Sequence, residues 1–93
     1  MTAETELYSH IRTHLRNGRA GVAKQLATEH LAAAPDDTLH YLYGLACARL
    51  GEFHEAINAF VRAERLNPQT PAIQARKMLE EIFAFRNTDM INP

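Results

Sequence analysis

The chain has little of what most reaction centres need. Its 93 residues include one cysteine, Cys47, and no tryptophan. A single cysteine excludes an internal disulfide framework and any cysteine-based zinc site. On an apolar helix face it reads as a small buried hydrophobe, not a reactive thiol. Glycine and proline are sparse, four of each, and they fall mainly at breaks between periodic segments, as in a folded domain. No stretch approaches the roughly 18 apolar residues of a membrane span, so no membrane partner is expected. Neither sign of charge dominates. A net charge of −1 gives no overall pull toward nucleic acid or an anionic bilayer. The opening MTAETELYSH has no basic region followed by an apolar run, so a cytoplasmic location is expected. No nucleophile elbow, phosphate-cradling glycine loop or HExxH motif occurs. The acidic pairs Asp36-Asp37 and Glu80-Glu81 are better read as a turn with a cap and as an exposed helix side. The chain is expected to be no enzyme and to need no cofactor.

What is present is internal repetition. Gly18, Ala23 and Pro35 recur as Gly51, Ala56 and Pro68 at a spacing of 33 residues. The pattern between these marks is helical throughout. The first helix runs from about Thr2 to Arg16 and stops at Asn17-Gly18. The second runs from about Ala20 to Ala33, before Pro35. The third opens near Asp37, whose carboxylate suits an N-cap, and ends at Gly51. The fourth runs from about Phe53 to Leu66. The fifth opens with Thr70-Pro71, a cap followed by proline at the first helical position, and fades near Arg86. Residues 87–93 carry no helical pattern and are expected to form an extended tail.

Residues 36–68 form the clearest unit. His40-x2-Tyr43-Gly44-x2-Cys47 is followed by Ala56-x3-Phe60 and then Pro68. This resembles the tetratricopeptide repeat (TPR), whose pattern is aromatic-x2-Leu-Gly-x2-Tyr, then Ala-x3-Phe, then Pro, with a period of about 34. Gly44 and Ala56 allow two helices to approach closely, while Phe53, Ile57 and Phe60 fill the space around the contact. The first unit is degenerate. Ile11 stands where the glycine would be, Ala27 where the phenylalanine would be, and His10 and His14 occupy usually apolar positions. Such degeneracy suits a terminal repeat. The resemblance implies an all-α TPR-like superhelix over residues 1–86. Repeat 1 covers about 4–35, repeat 2 about 36–68 and a capping helix about 71–86. The small size and the ending FRNTDMINP are similar to short stand-alone bacterial members.

The family resemblance also implies a non-catalytic module that binds a protein partner, a peptide or a helix, in a concave groove. By repeat register the groove residues are Tyr8, Arg12, Tyr41, Leu45, Arg49 and Arg76. Some family members clamp a C-terminal carboxylate, but the matching positions here are Tyr8, Arg12, Leu42, Ala72 and Arg76. Only the last keeps the expected residue type, so that clamp is disfavoured. Helix 5 carries an apolar arc of roughly 160°, wider than the stripe of about 100° a surface helix needs. A homodimer through Phe83, Phe85, Met90 and Ile91 is the alternative. Helix 3 is apolar on more than one side: Leu39, Tyr43, Cys47 and Leu50 are expected to make the packing face, and Tyr41, Leu45 and Ala48 form another stripe with Arg49 beside it.

Two weaker patterns remain. Glu6, His10 and His14 share one face of helix 1, a spacing that can hold a metal. With no further ligand cluster, solvated or partly packed histidines are the preferred reading. Arg12, Arg16, Arg19 and Lys24 make a local basic patch, best read as a solvated helix end. No nucleic-acid module accompanies it, so no nucleic acid is expected.

Overall fold

Glycines at two chain reversals set the frame. The computed structural model describes the backbone of residues 3–91 and the side chains of residues 3–84. Five α-helices follow one another: α1 (Ala3–Arg16), α2 (Ala20–Leu31), α3 (Asp37–Arg49), α4 (Phe53–Leu66) and α5 (Ala72–Ile91). No strand occurs among the described residues. Gly18 and Gly51 have φ of 77° and 80°, the left-handed region that side chains disfavour. Both close the preceding helix in the same way. Gly18 N–H donates to Leu15 C=O at 3.3 Å and Arg19 N–H to His14 C=O at 2.8 Å. Gly51 N–H donates to Ala48 C=O at 3.1 Å and Glu52 N–H to Cys47 C=O at 2.8 Å. This is the Schellman pair that satisfies the last carbonyls of a helix. Gly51→Ala should therefore lower stability by about 1 kcal/mol in urea unfolding, and Gly51→Asn by less.

The helix starts correct one expectation. The α3 cap is Asp36, not Asp37. Asp36 has extended backbone, φ −154° and ψ 123°, and its carboxylate accepts from Leu39 N–H at 3.0 Å. Asp37 is the first helical residue, and its carboxylate instead accepts from the Asn67 amide at 3.0 Å, tying the end of α4 to the start of α3. Thr70 caps α5 through its hydroxyl, which accepts from Ala72 N–H at 3.2 Å. Two helix ends also differ from the sequence pattern. The last turn of α2 closes at Leu31, with residues 32–34 in turns before Pro35. Residues 87–91 are helical and not an extended tail. The physical reason is that no glycine or proline lies between Pro71 and Pro93, so nothing stops α5.

Helix α3 is the spine. It packs most extensively on α4 and next on α2. One core joins Ile11, Leu15, Ala23 and Ala27 to Leu39, Leu42 and Ala46 of α3. A second joins Cys47 to Ala56, Phe60 and Ala63 of α4 and to Ala72 and Leu79 of α5. Gripped on two sides, α3 also buries residues that lie in neither of its two expected apolar stripes. Leu42 and Ala46 are fully buried, whereas Leu50 is 45% exposed. Gly44 is where the helices come closest. A Cβ added there would lie 2.3 Å from Phe60 Cε1 and 2.6 Å from Cδ1.

Candidate functional site

The repeat places α3 and α5 side by side over α4, and they do not close on each other. Between them lies a cleft of about 300 Å³. Leu45, Ala48 and Arg49 of α3 form one wall. Ala75, Met78, Leu79 and Ile82 of α5 form the other, and Phe53 and Phe60 of α4 form the floor. The lining is almost wholly apolar, the usual character of a binding cleft. Met78 is 64% and Ile82 44% exposed, so the α5 wall presents large apolar side chains to solvent. Helix α5 uses one face, with Ala72 and Leu79, to pack inward. Its second apolar side is the uncovered remainder of the broad arc seen in the sequence.

The structure redistributes the expected groove residues. Leu45 and Arg49 meet in the cleft. Tyr41 does not line it. Its ring packs beside Phe60, 6.2 Å between centroids at 43°, and it contacts both cores. Arg76 also does not line it: its guanidinium is held by Glu64 of α4 at 3.1 Å and by Glu80 one turn on at 3.1 Å. Tyr8 donates its hydroxyl to Asp36, which with burial holds the phenol well above its ordinary value. Arg12 is exposed on the same α1 face as Tyr8. Phe83, expected at a self-association surface, is half-buried within the chain. It meets Phe53 edge-on at 5.6 Å and His54 at 5.2 Å. Phe85, Met90 and Ile91 lie outside the described side chains. The residues the sequence missed are Met78 and Ile82. The over-wide arc on helix 5 was the signal that could have found them.

The polar clusters have partners within the chain. His10 and His14 stack edge-on at 4.8 Å, and His14 Nδ1 accepts from Arg19 Nε at 2.9 Å. Among the described residues the donor atoms of Cys47, Glu52 and Glu55 do converge, all within 4.8 Å of one another. A cation already sits there. Lys24 Nζ lies 2.8 Å from Glu52 and 3.3 Å from Glu55, and these carboxylates hold its ammonium well above its ordinary range. Burial pushes the Cys47 thiol up, away from the reactive thiolate. No buried side-chain nitrogen or oxygen among the described residues lacks a hydrogen-bond partner, so no orphaned group points to a missing ligand.

The same burial makes stability pH-dependent. Desolvation, with Arg62 adding to it, lowers His40 below its ordinary 6.5, against an opposing pull from Asp36. Desolvation, Arg19 and His10 lower His14. A histidine lowered on folding binds fewer protons when folded than when unfolded. Its stabilising contribution is present above its unfolded value and is lost as pH falls through the folded one. The thermal midpoint should therefore drop from about pH 7.5 to about pH 5.5, and His40→Gln should flatten that drop.

Comparison with known proteins agrees with this architecture. A tetratricopeptide repeat model matches residues 38–70, the unit that contains both Gly44 and Phe60. A Bacteroides fragilis protein, BF1650, solved by NMR in solution, is 38% identical. The match covers 91% of this chain and 88% of that one, with a TM-score of 0.80. The chain belongs to the TPR family. No curated protein matches it. TPR repeats generally mediate protein–protein interaction, and the TPR fold is generally non-catalytic. No described helix of this TPR protein is long and apolar enough to cross a membrane.

Proposed function

We propose that this TPR protein is a binding module that takes a peptide or helix of a partner protein in the cleft between α3 and α5. The observation that carries the reading is the open apolar cleft itself, with Met78 and Ile82 exposed on one wall and Phe60 as its floor. Surface apolar side chains gathered around a concavity are what a partner would bury. Leu45, Arg49, Met78 and Ile82 carry the contact. Tyr41, Tyr8 and Arg76 serve the fold that holds them. A Met78→Glu, Ile82→Glu double variant should lose its captured partners while keeping its unfolding midpoint, because Met78 is 64% and Ile82 44% exposed. Capture of the same partners by a folded double variant would refute the cleft.

A second reading is favoured by one observation, the exposure of Met78 and Ile82 on one side of α5 that no described helix covers. Two copies could pair their α5 helices there. Light scattering would then give a dimer mass that falls to the monomer in Ile82→Glu. A monomer mass at all concentrations would end that reading.

A further inference from the structure

We propose that the occupant is an acidic amphipathic helix, with apolar side chains seated in the α3–α5 cleft and carboxylates directed onto an arginine row beside it. This rests on the cleft being the binding surface. The second observation is where charge lies. Residues 7–28 and 38–51 contain no aspartate or glutamate, so most of α1 and nearly all of α3 carry cations without anions. The cations of this region have different fates. Lys24 is neutralised by Glu52 and Glu55, and Arg19 is engaged by His14. Arg12, Arg16 and Arg49 are exposed, and none of them pairs with a carboxylate among the described residues.

These arginines belong to one surface. Tyr8, Arg12 and Arg16 follow at i, i+4 and i+8 on one face of α1. Tyr8 on that face reaches Asp36 at the start of α3. At the other end Arg49 donates to Leu15 C=O of α1 while lining the cleft. The face therefore looks toward α3, and Arg49 joins it to the apolar walls. On the α5 side Glu80 and Glu81 are both exposed, and Glu80 is held by Arg76. The surface is thus polarised, cationic along α1 and the end of α3, apolar between α3 and α5. A helix with leucine-like residues on one side and carboxylates flanking them on the α1 side complements both parts. Guanidinium groups can hold such carboxylates in paired hydrogen bonds.

Two synthetic helical peptides of about 18 residues, about 27 Å long, supply the test. Both carry leucine at i, i+4 and i+7. One has glutamate at the flanking positions and the other lysine. Binding is read by fluorescence anisotropy, beside light scattering of the protein alone. The acidic peptide should bind at least about tenfold tighter than the basic one, and should weaken as salt is raised. Arg12→Glu with Arg16→Glu should cost it about tenfold or more, and Met78→Glu with Ile82→Glu, both exposed on the cleft wall, should abolish it. Preference for the basic peptide, or indifference to the arginine changes, would overturn the proposed chemistry. If that binding were still lost in the cleft variant, the cleft itself would stand. Acidic binding that survives the cleft variant would overturn both. Binding of neither peptide would also overturn the proposal, and a dimer mass lost in Ile82→Glu would then identify the occupant as a second copy.

Discussion

Phe60→Ala is expected to remove about 3–5 kcal/mol of stability, the usual cost of truncating a buried phenylalanine. Phe60 is the largest fully buried side chain among the described residues and is 1% exposed. Its ring fills the space left by Gly44, packs beside Tyr41 and floors the cleft. Total stability of such domains is typically about 5–15 kcal/mol, so the change consumes much of it. At about 4–8 °C per kcal/mol for a domain of this size, the thermal midpoint should fall on the order of 20 °C. Urea unfolding measures the loss directly. Phe60→Leu, which keeps most of the apolar volume, should cost less. A loss below about 1 kcal/mol for the alanine variant, against this expected range, would mean that Phe60 does not centre the second core.

Gly44→Ala should also destabilise, although helix propensity alone predicts the opposite. Alanine is favoured over glycine inside a helix by about 1 kcal/mol. Against that, the new methyl would sit 2.3 Å from Phe60 Cε1, well inside contact distance. The ring is enclosed and cannot swing to solvent, so either α3 and α4 separate or the ring leaves its rotamer. Overpacking of this kind costs typically about 1–3 kcal/mol, and the closeness of the contact places it at the upper end. A net loss of about 2 kcal/mol is expected. Because the conflict is with one side chain, Gly44→Ala and Phe60→Leu should be strongly non-additive, with the pair losing less than the sum of the singles. Additive losses would place the strain elsewhere.

These two residues also indicate what the sequence could convey. The reversals were legible because Gly18 and Gly51, and Pro35 and Pro68, recur at one spacing and each has a local physical role. The α4 helix was legible end to end, since its buried residues Ala56, Ala59, Phe60 and Ala63 share one side of a helix whose other side is polar. Helix α3 was harder. It is buried on two sides, and two apolar stripes, one through Leu39, Tyr43, Cys47 and Leu50 and one through Tyr41, Leu45 and Ala48, picked Leu50 and passed over Leu42 and Ala46. The choice between Asp36 and Asp37 as cap depended on one backbone angle, which adjacent identical residues do not reveal. Arg76 was assigned to the groove by register, but its partner Glu64 lies on another helix, and only packing brings them together. Of the candidate site, Leu45 and Arg49 were readable from register. Met78 and Ile82 were visible only as excess apolar surface, because which side of α5 stays uncovered is set by packing on other helices.

The most direct test of the cleft as the binding surface is site-specific photocrosslinking in the native cell. One copy carries a photoreactive side chain at Met78, on the exposed cleft wall, and another carries it at Thr28, exposed on α2. Adducts to a partner protein should form from position 78 and not from position 28. Partner adducts from position 28 with none from position 78 would contradict the account.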